Sequence, residues 1–187
     1  MNKQHREIKK TDLMPLEEYS KKRRDIRKEI VNYKKNRRIS IGPHANFYFE
    51  SYETMKAQIQ EMLYIEKGGD KQLKDELEAY NPLIPKGKEL VATLMFEIDN
   101  PILRAEFLNK IGGVEEKIYM LLDKEKIDAV PEKDVERTSL EGKASSVQFI
   151  HFNFLDNQIR KFKDLNTKVL LGIEHKNYNH MTILSKE

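Results

Sequence analysis

Hydrophobic and polar residues alternate almost strictly from Ile39 to Glu50, with Ile39, Ile41, Ala45, Phe47 and Phe49 on one parity and Ser40, His44, Asn46, Tyr48 and Glu50 on the other. A period of two predicts a strand with one buried face. Gly42-Pro43 interrupts it, and because proline cannot donate to a ladder, the pair marks a bulge, an edge position or a short turn. From Ser51 or Thr54, either of which can cap a helix, the period becomes helical. Met55, Ile59, Met62 and Leu63 share a face, Gln58 and Glu61 sit on its shoulder, and Gly68-Gly69 suits the helix end. Upstream, Leu16, Tyr19, Arg23, Ile26, Ile30 and Tyr33 recur at helical spacing and predict a long helix over 11–37 with a narrow apolar seam.

Downstream, Asp70 opens a short helix through Leu73, Leu77 and Tyr80 that Asn81-Pro82 ends. Leu90–Ile98 predicts a central strand, and Asn100-Pro101 starts a helix with Leu103, Phe107, Leu108 and Ile111 on its buried face. Lys117–Leu122 and Ile127–Val130 read as a hairpin, residues 131–146 as a mobile polar loop, and Val147–Phe154 as a strand. Asp156 caps a short helix, Lys168–Glu174 is a last strand, and the tail from His175 is polar. The sum is an α+β chain with a long basic N-terminal helix and a largely antiparallel, curved, five- to six-stranded sheet with helices packed on it. One globular domain is expected over 1–187, with 1–10 frayed.

Composition narrows the chemistry. The 187 residues include no Cys, which excludes disulfides, thiol nucleophiles and cysteine-ligated clusters. No apolar run approaches the ~20 residues of a membrane span, and the first residues lack the apolar core of a secretion signal, so a cytoplasmic setting is expected. Net charge is +3, yet residues 1–38 hold 14 Lys/Arg against 6 Asp/Glu, and the remainder 20 against 25. Lys21, Lys22, Arg24, Arg27 and Lys28 thus form a candidate anion-binding face for nucleic acid, anionic lipid or the acidic remainder of the chain. No aromatic platform is interleaved with them, which disfavours nucleic acid. P-loop, dinucleotide-binding, zincin and serine-hydrolase motifs are absent.

The candidate polar site joins the even face of the central strand to the helix shoulder: His44, Glu50, Gln58 and Glu61, with Tyr80, Asn81 and Glu97. Within it His44, Glu50 and Glu61 would suit a divalent metal such as Fe, Mn or Zn, and a buried carboxylate there could do acid–base work. The plain alternative is structural, with His44 and Glu50 facing water and Gln58 and Glu61 tying the helix to its neighbours. His151 reads as a hydrogen-bonded core histidine, and His175 with His180 has a spacing seen in some zinc sites.

Four strings carry a resemblance: Leu13-Met14-Pro15-Leu16-Glu17-Glu18-Tyr19, Ile41-Gly42-Pro43-His44 with Phe49-Glu50, Gln58-Ile59-Gln60-Glu61-Met62-Leu63, and Ala79-Tyr80-Asn81-Pro82-Leu83-Ile84-Pro85. Together they resemble the uncharacterised bacterial family labelled domain of unknown function 3501, over nearly the whole chain. The resemblance implies a bacterial cytosolic protein whose relatives are often encoded beside rubrerythrin-like and iron–sulfur oxidoreductase genes. It supplies no catalytic residues. The functional expectation is therefore an accessory or interaction protein linked to redox or oxidative-stress metabolism, with a redox-related protein partner or self-association through the N-terminal helix. A metal-binding protein or metal-dependent enzyme using His44, Glu50 and Glu61 is the first alternative, and a nucleic-acid binder using the basic helix the second.

Overall fold

The alternating stretch folds as a hairpin, with β1 (Arg38–Ile41) and β2 (Ala45–Phe49) pairing antiparallel and Ile41 opposite Ala45. Gly42 turns the chain at φ +63°, a left-handed conformation that side chains disfavour, and a Cβ there would meet His180 and Tyr178 at 2.6 and 2.8 Å. Of the outcomes that Gly42-Pro43 allowed, the short turn is the one adopted. Parity survives it, since Ile41, Ala45 and Phe47 all reach the core with Ile39 and Phe49 packed at its margin.

The computed structural model describes residues 6–132 and 137–186. The described residues form two compact units, one from Met1–Arg37 with Glu50–Gly87 and one from Arg38–Phe49 with Lys88–Glu187. The first is helical: α1 (Leu16–Lys34), α2 (Tyr52–Glu66) and α3 (Gly69–Tyr80), with 3-10 turns at Lys10–Asp12, Lys35–Arg37 and Asn81–Leu83. Ser51 caps α2, its hydroxyl accepting from the Thr54 N–H at 3.3 Å while Thr54 accepts from the Ser51 N–H at 2.8 Å. Lys67, at φ 54°, ends that helix one residue before the expected glycines, and Gly69 already begins the next. Ile8, Tyr19, Met55, Ile59, Leu83 and Ile84 are its buried apolar residues.

The second unit holds two antiparallel sheets. β3 (Glu89–Phe96), α4 (Pro101–Lys110), β4 (Ile118–Leu122), β5 (Glu125–Asp128), β6 (Val130–Pro131), β7 (Val147–Asn153), α5 (Asp156–Lys163), β8 (Val169–His175) and β9 (Tyr178–Ile183) follow in chain order. Strand order is β1-β2-β3-β7-β6 in one sheet and β5-β4-β8-β9 in the other, so the α+β class holds while, among the described residues, nine strands in two sheets replace five or six in one. One apolar cluster spans both, from Phe47, Leu94, Ile150 and Phe152 to Met120, Leu171 and Ile173. β9 escaped the sequence because only Tyr178 of its six residues is buried. Within the polar loop, Thr138 bridges to Ala144, and the part at 133–136 lies outside the described residues. No helix among the described residues is long and apolar enough to cross a membrane.

Tyr178 fastens β9 to the first hairpin. Its hydroxyl donates to the Ile41 carbonyl at 2.6 Å and accepts from the His44 and Ala45 N–H groups at 3.0 Å each. Burial pushes the phenol upward, which the two N–H donors only partly offset. Tyr178→Phe leaves these three backbone groups with a lost partner and is expected to cost about 1–3 kcal/mol. Urea unfolding followed by circular dichroism checks this, and an unchanged midpoint would show that the turn is held by other contacts.

Candidate functional site

In α1, 19 residues long, Tyr19 is the one buried side chain. A helix so little covered by a core needs another anchor, and Glu61 of α2 supplies it. Arg23 reaches the Glu61 carboxylate with Nη2 at 2.5 Å and Nε at 3.1 and 3.2 Å, and the Tyr19 hydroxyl donates to the same carboxylate at 2.7 Å. Hydrogen bonding by Arg23, joined by that of Tyr19, holds Glu61 below the usual carboxylate range against the opposing effect of burial. Burial first, then the bond to Glu61, pushes the Tyr19 phenol well above its ordinary value. The Arg23 guanidinium lies 4.8 Å over the Tyr64 ring, and Tyr19 meets that ring edge-on at 5.6 Å.

Two amide side chains fasten the segment ahead of α1. Gln60 accepts from the Met14 N–H at 2.7 Å and donates to the Met14 carbonyl at 3.0 Å, and Asn81 does the same for Ile8 at 2.7 and 3.0 Å. Each amide offers one acceptor and one donor group, which matches the two polar groups of a single backbone residue.

With the segment fastened there, an open groove of about 780 Å³ runs between it, α1 and α2. Leu13, Met14, Ile26, Ile30, Tyr52 and Ala57 give it an apolar floor, and Asp12, Glu18, Glu29 and Glu53 face it together with one cation, Lys56. Tyr33 closes one end, donating to Ser51 Oγ at 3.2 Å and Glu53 Oε2 at 3.1 Å. Burial works against the Glu53 charge, but its own backbone N–H in the first turn of α2 and the Ser51 and Tyr33 hydroxyls hold its carboxyl below the usual range.

The residues of the candidate polar site all have structural partners. In the helical unit Glu50 is buried and accepts from the Thr54 hydroxyl at 2.6 Å, Gln58 bonds the Tyr80 hydroxyl, Asn81 holds Ile8, and Glu61 holds α1. Burial raises Tyr80, with Gln58 partly offsetting it. In the sheet unit His44 packs edge-on against Phe107 at 5.1 Å, while Glu97 accepts from Arg38 and Tyr48 at 2.8 Å each and from the Asn46 amide. Among the described residues no group of three or more His, Asp or Glu could hold a metal ion. His151 is hydrogen-bonded as expected, between Glu89 at 3.1 Å and Glu132 at 2.8 Å, but half-buried at the margin rather than in the core. His175 accepts from the Asn177 N–H at 3.2 Å and is lowered chiefly by burial, and His180 packs against Tyr178. On the basic face Lys22 is paired with Glu18 at 2.7 Å. Sequence reasoning missed Arg23, although a cation inside an apolar seam between Tyr19 and Ile26 was the signal that a carboxylate must face it.

The family model described as protein of unknown function (DUF3501) matches residues 7–187. A crystal structure of a novel protein of unknown function from Burkholderia pseudomallei K96243 superposes with a TM-score of 0.87 at 33% identity, covering 96% of this chain and 93% of the other. No curated protein matches the sequence.

Because Glu61 titrates below its unfolded value, its contribution is present above that value and is lost as pH falls through the folded one. Glu61→Gln is therefore expected to destabilise the protein by about 1–3 kcal/mol at neutral pH and to flatten the acid limb of its stability profile. Denaturant melts from neutral to acid pH check this, and parallel profiles for the two proteins would show that the anchor is not what acid breaks.

Proposed function

The chain belongs to the family described as protein of unknown function DUF3501, and from that premise we propose that it is an accessory protein that receives a segment of a partner protein in the groove beside α1. The carrying observation is a seam that the chain's own core covers only in part. Ile26 and Ile30 belong to the narrow apolar seam that the helical period predicts, and they line an open groove beside a helix whose one buried side chain is Tyr19. Four carboxylates against one lysine facing that groove favour an amphipathic helix with an apolar face and basic flanks. The family resemblance supports a partner from redox or oxidative-stress metabolism, and the cytoplasm is the setting this reading assumes.

A synthetic amphipathic helical peptide with lysines flanking leucines is expected to bind, and its glutamate-flanked counterpart to bind about tenfold or more weakly. Ile30→Asp and Ala57→Glu together should abolish the basic peptide's binding while leaving the circular dichroism spectrum unchanged. Fluorescence anisotropy at two salt concentrations reads this. Equal binding of both peptides, or full binding by the double variant, would sink the proposal. A dimer in analytical ultracentrifugation that the same variant dissociates would replace the partner with a second copy of this chain.

A further inference from the structure

A second concavity borders α1 on its basic side. Ser20, Arg23, Arg24, Arg27, Lys28 and Val31 line it together with Tyr64 of α2, as a solvent-open cleft of about 510 Å³. We propose that this cleft is a binding site for a small oligophosphate anion, in which Arg24, Arg27 and Lys28 neutralise the ligand and the Ser20 and Tyr64 hydroxyls donate to it.

The argument starts from the spacing of the cations. Arg23 with Arg27, and Arg24 with Lys28, stand four residues apart on one helix, so each pair sets like charges side by side and works against the helix. Arg23 is neutralised by Glu61. Among the described residues Arg24, Arg27 and Lys28 have no carboxylate within ion-pair distance, although the field of Arg27 reaches Glu61. Three positive charges therefore line one cleft without a directly paired carboxylate among the described residues.

The shape selects among anions. The volume falls in the range of roughly 300–1,000 Å³ that accommodates small ligands. The Ser20 and Tyr64 hydroxyls hydrogen-bond each other at 3.4 Å at the lining, which leaves one O–H free beside the cations and a second that a phosphate oxygen can take over from that long bond. Nucleic acid fits less well. The Tyr64 ring is the one aromatic surface in the cleft, and it already carries the Arg23 guanidinium, so that face offers no platform for a base. The site is independent of the apolar groove, which Ile26 and Ile30 line from the neighbouring face of α1.

Isothermal titration calorimetry of the intact protein with inorganic tripolyphosphate tests the proposal, with orthophosphate and a single-stranded oligonucleotide as comparisons. Tripolyphosphate is expected to bind at one site per chain, more tightly than orthophosphate, and to weaken steeply with salt. Arg24→Gln with Arg27→Gln should weaken it at least about tenfold, whereas Lys34→Gln with Lys35→Gln, which removes the same charge outside the cleft, should change it less than about twofold. Arg23 is spared because it holds Glu61. An equal loss in both double variants would reduce the effect to general electrostatics and overturn the site, as would no binding at physiological salt. Tighter binding of the oligonucleotide, lost in the cleft variant, would overturn the oligophosphate assignment in favour of nucleic acid.

Discussion

One carboxylate sets the geometry of the helical unit. Glu61 accepts from both Tyr19 and Arg23, and a phenol and a guanidinium on successive turns of α1 can meet the same side chain only if the helix lies at one rotation against α2. That rotation decides what each face does. Ile26 and Ile30 turn to the open groove, and Arg24, Arg27 and Lys28 to the basic cleft. A purely apolar seam would have allowed α1 to roll or slide with little change in energy. A bidentate, directional contact does not, which is the property that makes a partly buried ion pair useful for register even where its net stabilisation is small.

The strands most legible in the sequence are those with one wet face and one dry face. Ile39 to Phe49 kept its parity through the Gly42 turn because the same apolar residues had to reach one core. β9 was illegible for the opposite reason. Asn179, His180 and Met181 are exposed, so the strand shows no hydrophobic alternation and exists through its pairing with β8, where His180 sits opposite Ile173. Division into two sheets was hidden as well. Periodicity shows which face of a strand is buried, not which neighbour it finds, and pairing is settled by contacts distant in sequence.

Site chemistry was legible at the level of need rather than of partner. The position of Glu61 on the shoulder of a buried face said that its charge must be met, and Arg23, inside an apolar seam, made the matching demand. Joining two such demands across 38 residues requires the packing of α1 on α2, which no local pattern encodes. Gln60 and Asn81 were harder still. An amide that substitutes for a backbone strand has no periodic signature, and Asn81 stands in a tyrosine-asparagine-proline string that reads as a helix stop.

The chain leaves the helical unit after Arg37, returns at Glu50 and leaves again after Gly87. During synthesis, the pieces that bind Ile8, Met14 and Tyr19 are therefore complete by Asn81, before β3 has been made to pair with β2. At roughly 5–20 residues per second, the hairpin that carries Phe47 waits on the order of seconds for the strand that covers it. No single cut can release either unit intact, because both are built from two separate lengths of chain. A fragment ending at Gly87 would hold every helix of the first unit and also an orphaned hairpin with its apolar face bare, a substrate for chaperones rather than a minimal domain.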